Sequence, residues 1–320
     1  MLKTPKIIAT HSGSFHADDV FGVGVLMGVY PAHTLVRTRN GATIEAADFA
    51  VDVGGIWDAA SGRFDHHQRG FDGARAPRSS DGVRVIYASA GLVWAAHGAA
   101  YVQALATEAG YTLDAAAVDS IVQSIDSDLV QYLDMVDTGQ GDVAPGLFGL
   151  SSLIAQLNTN WMEESGMAAQ PKAALQESRF REAIAIARTF LDRAIIKKIS
   201  QIRSMDIVRN APTLLNGKVL HLTEGGMPWS RVVAEEMPAV MLVIYPDSDG
   251  DQYQLKTVPV EAGSFTSRMD LPASWAGLRD QELAAVTGVA DSVFCHNNLF
   301  IAGARSLQGA VRLAEIALLA

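Results

Sequence analysis

Short apolar runs broken by polar clusters alternate with longer segments of recurring apolar spacing through the first half of the chain. KIIAT runs directly into HSGSFHADD, and VFGVGVLMGVY follows, which predicts a strand, a polar loop and a helix. TLVRT and DFAVDVGG predict further strands, the second ended by Gly54 and Gly55, and RFDHH follows the turn-like DAASG. This order predicts an α/β fold with a parallel sheet, whose ligands gather outside the carboxyl ends of its strands. Alanine-rich segments from Ser89 to about Ala109 and from about Asp114 to Val136 predict helices.

The longest helical signal begins near Pro171. Phe180, Ile184, Ala187, Leu191, Ile195, Ile199 and Ile202 recur at spacings of three or four and make one apolar stripe, which suits a core or interdomain helix better than a partner-binding one. After about Met205 the pattern changes. AVMLVIY and QYQLKTVPV, separated by PDSDGD, predict a hairpin in a second domain, and a last helix runs from Ser306. DSDGD lacks the glycine at position six and the glutamate at position twelve of a calcium-binding EF loop, so it reads as an exposed turn. The boundary drawn from these patterns gives domains of residues 1–204 and 205–320.

Composition narrows the class. With 320 residues, 49% hydrophobic and 19% charged, the chain has ample core for two domains and too little charge for extended disorder. A net charge of −10 weakens broad attraction to nucleic acid but leaves room for a local basic groove or for metal ions. The single cysteine, Cys295, rules out an internal disulfide or a multi-cysteine zinc site and suits a reducing compartment. No apolar run is long enough for a signal peptide or a spanning helix, so the expectation is a soluble cytoplasmic protein with no membrane partner.

Four of the eight histidines fall in two short clusters, His11 and His16 in HSGSFHADD and His66 and His67 in FDHHQRGF. Those clusters also hold Asp18, Asp19 and Asp65, and Asp52 sits between them at a strand end. Imidazoles with carboxylates suit divalent transition metals, and several carboxylates can bridge two ions. Taken singly, each has a plain structural alternative, such as a turn or helix cap. Asp52 is the hardest to dismiss, because burying a carboxylate between Val51 and Val53 without a partner costs several kcal/mol. His66 and His67, adjacent on extended chain, point differently, so one can ligate metal while the other faces substrate. A further carboxylate comes from YLDMVDTGQG, with Asp134 and Asp137, or from SIDSDL, with Asp126 and Asp128; spacing does not choose between them. GVGVLMG fails as a dinucleotide fingerprint because Met27 stands where its third glycine belongs, so its glycines are read as helix-packing positions. Neither a Walker loop nor a nucleophile elbow is present.

The motifs THSGSFHADD, AVDVGGIWD, FDHHQRGF, ASAGLVW and VDTG, followed by SFTSRMDLPASWAGLRDQEL and CHNNLFIAGARSLQGAVRLA, together resemble the melanocyte-proliferating-gene family of metal-dependent hydrolases, related to the DHH phosphoesterases. The resemblance implies a DHH-type parallel-sheet N-terminal domain that is catalytic and a smaller α/β C-terminal domain that binds substrate. It implies two divalent ions, Mn2+ favoured over Mg2+ or Zn2+, held by His11, His16, Asp18, Asp52, His66 and Asp137. Asp65 would orient the histidine pair and His67 would meet the reacting phosphate. The consecutive Asp18 and Asp19 after a second histidine depart from the usual His-x-x-x-Asp-x-Asp spacing. Arg268, Arg279, His296, Gly303 and Arg305 are the candidate substrate contacts, since guanidinium groups grip phosphate oxygens. The implied activity is phosphodiester hydrolysis, as a 3′-to-5′ exonuclease on RNA or short oligonucleotides. The rivals are a small-molecule phosphoesterase or pyrophosphatase and a non-catalytic metal-binding protein; homo-oligomerisation is left open.

Overall fold

The computed structural model describes residues 4–78, 80–141, 144 and 146–320, so the first three residues of the N-terminal segment lie outside it. It is an α/β structure built on two sheets and divided into units Met1–Lys198 and Ile199–Ala320. In chain order the elements of the first unit are β1 (Lys6–Thr10), α1 (Ala17–Val29), β2 (His33–Arg37), α2 (Gly41–Ala46), β3 (Phe49–Val51), β4 (Trp57–Asp58), β5 (Arg63–Phe64), α3 (Ser89–Glu108), α4 (Ala115–Ile125), α5 (Gln131–Asp137), α6 (Leu150–Ala155), α7 (Trp161–Glu164) and the start of α8 (Ala169–Arg209). A wide π turn, Asp126–Val130, separates α4 from α5.

The first sheet runs β2-β1-β3-β5-β4. β2, β1, β3 and β5 are mutually parallel and only the two-residue β4 is reversed, which blunts that edge. Ile8, Ala9, Ala50 and Val51 are fully buried, as expected of central strands covered on both faces. α1 is apolar nearly all round and is buried from Ala17 to Leu26. Its glycines provide the clearance: a Cβ on Gly22 would lie 2.9 Å from Val51, one on Gly24 3.2 Å from Arg188, and one on Gly28 2.2 Å from Tyr101. The stripe on α8 is buried at Phe180, Ile184, Ala187, Leu191, Ile195 and Ile199, with Ile202 half-buried.

The second unit contains β6 (Thr213–Leu214), β7 (Val219–His221), α9 (Ser230–Glu236), β8 (Leu242–Pro246), β9 (Tyr253–Thr257), α10 (Asp280–Thr287), β10 (Ser292–Cys295), β11 (Ile301–Ala304) and α11 (Leu307–Leu319). Its sheet runs β10-β11-β9-β8-β7-β6 and is antiparallel except for the β7–β8 pair. β8 shows the period of two: Leu242 and Ile244 join the cluster around Leu255, Trp275 and Leu313, while Val243 joins Leu220, Trp229 and Val258. β8 and β9 form the expected hairpin, and in its turn Asp247 accepts from the backbone of Asp251 at 3.1 Å, so that carboxylate serves the turn. Cys295 is buried and unpaired. Among the described residues no helix is long and apolar enough to cross a membrane.

The α1 glycines make a quantitative claim. Gly28→Val drives a branched side chain into the Tyr101 ring and is expected to cost about 1–3 kcal/mol, typical of overpacking. Chemical denaturation reads this directly, and an unchanged midpoint would contradict the close α1–α3 approach.

Candidate metal centre

Parallel pairing of β1, β3 and β5 brings their carboxyl ends side by side, and each strand delivers part of one polar cluster. His11 follows β1 directly, Asp52 follows β3, and Asp65, His66 and His67 follow β5. α1 then adds His16 at its N-cap and Asp18 and Asp19 in its first turn, and Asp137 closes α5. Asp52 does not continue its strand: it lies one residue beyond β3 with φ at +57°, a left-handed conformation that aspartate tolerates better than branched residues. His66 and His67 also lie past their strand. His66 is 11% exposed and His67 62%, so the two rings face different surroundings although their centroids are 4.2 Å apart.

Three groups of donor atoms converge within 4.8 Å: Asp52 with Asp65, His66 and His67; His11 with His16 and Asp52; and His16 with Asp18 and Asp137. His11 Nε2 lies 3.2 Å from Asp19 Oδ2 and 3.3 Å from Asp52 Oδ2. His66 Nε2 lies 3.1 Å from Asp137 Oδ2, and His67 Nδ1 lies 2.9 Å from Asp65 Oδ1 and 3.3 Å from Asp52 Oδ1. Asp65 is itself fixed by the Gly55 N–H at 2.6 Å and the His67 N–H at 3.0 Å. Asn158 holds the loop before His16 by exchanging two hydrogen bonds with the Phe15 backbone, at 2.9 and 2.8 Å.

The electrostatics of this cluster are set by buried carboxylates and the imidazoles beside them. Asp18 is buried and no N–H or hydroxyl donates to either of its oxygens. Burial, then the charges of Asp52, Asp137 and Asp19 and a hydrogen bond shared with the Asp137 carboxyl, push its pKa well above the usual carboxylate range. Asp19 is also raised by burial, although His11 opposes the shift, and its Oδ1 accepts from the His16 N–H. Burial would raise Asp52 too, but His11 and His67 overcome it and hold the carboxylate well below its ordinary value. For His11, burial lowers the pKa while hydrogen bonds to Asp19 and Asp52 raise it, leaving it at about 10. His67 reaches about 9, chiefly through Asp52 and then, against partial burial, Asp65. Orphaned carboxylate oxygens beside imidazoles fit divalent cations, which would be held by His11, His16, Asp18, Asp52, His66 and Asp137.

The carboxylates that spacing left open are separated by their partners. Asp126 and Asp134 both bind Arg75, at 2.6–2.7 Å, and Asp128 pairs with Lys198. Burial pushes Asp134 up to about 7 despite Arg75, while Asp137 alone of the four turns to the cluster through His66. The C-terminal candidates are not gathered in the same way. Arg268 spends both terminal nitrogens of its guanidinium on the carbonyls of Val233, Ala234, Met237 and Val240, capping α9, which takes four of its five N–H donors. Arg279 is the N-cap residue of α10, and Arg305 lies 3.7 Å from Asp280. Gly303 sits on β11, where a Cβ would meet Phe294 at 2.7 Å. His296 and Arg305 flank opposite ends of the β10–β11 pairing. Sequence reasoning missed Ser89, which contacts both Asp52 and His66, because a serine opening an alanine-rich helix carries no visible metal signature. Its only signal was membership of the ASAGLVW motif.

The cluster has a pH signature in the metal-free protein. Raised imidazole pKa values contribute stability that is complete below about pH 6.5 and is lost as pH rises through about 9 for His67 and about 10 for His11. Raised Asp18 and Asp19 act in the same direction, since ionising them in the folded state is unfavourable. The denaturation midpoint in chelator is therefore expected to fall from pH 6.5 to 10, with a shallower slope in His11→Gln. A midpoint that rises over that window would contradict the assignment.

The comparisons agree along the whole length of the chain. Residues 7–318 match the MYG1_exonuc family model, described as "Uncharacterised protein family (UPF0160)". A MYG1 protein of Caenorhabditis elegans is 30% identical, covering 98% of this chain and 95% of its own. A MYG1 exonuclease of Mus musculus is 32% identical over 99% of this chain and 86% of its own, and that of Homo sapiens is 30% identical over 99% and 87%. A crystal structure of exonuclease RecJ bound to manganese aligns with 98% of this chain and 90% of that one, at 14% identity and a TM-score of 0.30, too low to bear on the chemistry. The match over residues 7–318, together with relatives that are 30–32% identical over nearly the whole chain, shows that this chain belongs to the MYG1_exonuc family.

Proposed function

We propose that the chain is a divalent-metal-dependent nuclease that hydrolyses phosphodiester bonds as a 3′-to-5′ exonuclease on RNA or short oligonucleotides, with Mn2+ as the favoured ion. The observation that carries this reading is the convergence of three imidazoles and three carboxylates, with no N–H or hydroxyl donating to either oxygen of buried Asp18. The exonuclease names of the mammalian relatives support the substrate class. The lone Cys295 suits the cytoplasm as the place of action.

In this reading residues 1–204 form the catalytic domain and residues 205–320 the substrate-binding domain. Divalent cations, when bound, supply Lewis-acid polarisation of a phosphoryl oxygen and acidify an attacking water. The six ligand residues fix the position of that charge, with Asp52 reaching both histidine clusters. Asp65 holds His67 by Nδ1, which leaves the half-exposed ring free to present Nε2–H to substrate. As the P–O bond breaks, that proton passes to the departing oxygen while water oxygen bonds to phosphorus and its proton leaves to solvent. In the metal-free chain Asp52 and then Asp65 hold the His67 imidazole up to about 9. In the second domain, His296, Arg305 and Gly303 are the proposed substrate contacts; Arg268, bound to carbonyls, holds α9 instead.

The test is to strip the protein of metal, restore Mn2+, Mg2+ or Zn2+ separately, and assay RNA, DNA, dinucleotides and pyrophosphate. Asp52→Asn and His66→Ala are expected to lose metal and most activity, whereas His67→Gln keeps metal and loses about 10²–10⁴-fold in kcat. Oligonucleotides shortened one unit at a time from the 3′ end support the exonuclease. Cleavage confined to mononucleotides or pyrophosphate would overturn it in favour of a small-molecule phosphoesterase.

A further inference from the structure

Ser89, the first residue of α3, is fully buried between two of the candidate ligands. Its Oγ donates to Asp52 Oδ1 at 3.1 Å and lies 3.2 Å from His66 Nδ1. A hydroxyl has one proton to give and two lone pairs to offer, whereas an ionised carboxylate only accepts. The serine proton therefore goes to Asp52, and an Oγ lone pair faces the imidazole. Only an Nδ1 that carries hydrogen can complete that contact. Asp52 Oδ1, 3.7 Å from the same Nδ1, favours the same arrangement, because a bare nitrogen there would face a carboxylate oxygen.

The geometry points to Ser89 as a positioning residue that holds the His66 proton on Nδ1 and so leaves Nε2, the nitrogen 3.1 Å from Asp137 Oδ2, bare to accept a cation. The use made of Nε2 rests on the divalent-metal reading above; the tautomer itself does not. Nε2 and a carboxylate oxygen 3.1 Å apart need a proton or a cation between them; with the proton of the neutral ring on Nδ1, a divalent ion would take that place in the loaded site.

The serine is held in place from behind by groups the proposed chemistry does not use. The Gly91 N–H, two residues into α3, donates to Asp134 Oδ1 at 3.0 Å, and Asp134 Oδ2 accepts from Arg75 at 2.6 Å. Arg75 also grips Asp126 through two nitrogens and lies 4.4 Å over the Tyr87 ring. A Cβ at Gly91 would stand 1.9 Å from Asp134 Oδ2, so glycine is what lets the first turn of α3 approach this clamp. A side chain as short as serine bridges Asp52 and His66 only if that turn is fixed.

Histidine-15N NMR reads the tautomer directly, with His66 assigned by its absence in His66→Gln. Wild-type protein, metal-free with the ring titrated to its neutral form and again loaded with diamagnetic Mg2+ or Zn2+, is expected to show His66 protonated at Nδ1. Ser89→Ala is expected to move proton population to Nε2 and to weaken Mn2+ binding by calorimetry about 10–100-fold, the usual effect of losing an outer partner of a ligating histidine. Ser89→Thr, which keeps the hydroxyl, restores Nδ1–H and most of the affinity. Nε2–H in the wild type overturns the proposal whether or not Ser89→Ala folds, as does a Ser89→Ala protein with wild-type tautomer and affinity. A wild type that keeps Nδ1–H yet binds no cation would support the serine's role and sink the metal reading instead.

Discussion

Mutual repulsion among buried carboxylates is the constraint on which the rest of the structure depends. Asp18, Asp19 and Asp52 are buried together, and an oxygen of Asp137 lies within 4.8 Å of one of Asp18. Two like charges at that separation repel by about 3–4 kcal/mol at an effective dielectric of about 20, before any cost of leaving water. The imidazoles of His11 and His67 offset part of this for Asp52 and Asp19 but leave Asp18 without an N–H or hydroxyl donor. A folded chain tolerates such a cluster when positive charge enters it, so in the proposed reading the groups that repel one another in the metal-free chain are the ones that would hold the cations.

The fold concentrates these groups with few residues. Three adjacent parallel strands end at one level, so His11, Asp52 and the Asp65–His67 segment meet without long loops. α1 then brings its first turn to the same place, and its glycines let it lie close enough against β3 and α3 to do so. On the far side of α3, Arg75 neutralises Asp126 and Asp134, keeping those carboxylates out of the cluster while fixing the helix that carries Ser89. The arginine-bound Asp126 and Asp134 and the candidate ligand Asp137 are thus only a few residues apart in sequence.

Much of this was legible from residues alone. The alternation of apolar runs and polar clusters placed the N-terminal motifs at the ends of parallel strands, and the stripe from Phe180 to Ile199 marked one long helix buried along one face. The choice among Asp126, Asp128, Asp134 and Asp137 was illegible because it depends on the π turn between α4 and α5 and on Arg75, some fifty residues earlier. Asp52 was expected at a strand end and lies just past β3, but its left-handed conformation is visible only in the backbone. Arg268 looked like a phosphate grip because a guanidinium suits anions, but carbonyls at a helix end satisfy it equally well. Ser89 was hidden because its meaning lies in two hydrogen bonds across the fold, not in its neighbours along the chain.

The most direct measurement is the cation content of the purified chain by native mass spectrometry after chelation and reloading with Mn2+. Two ions per wild-type chain are expected, and fewer in Asp18→Asn, which replaces a carboxylate that no N–H or hydroxyl satisfies. A wild-type chain that takes up no ion, or an Asp18→Asn protein with wild-type content, would contradict the metal reading.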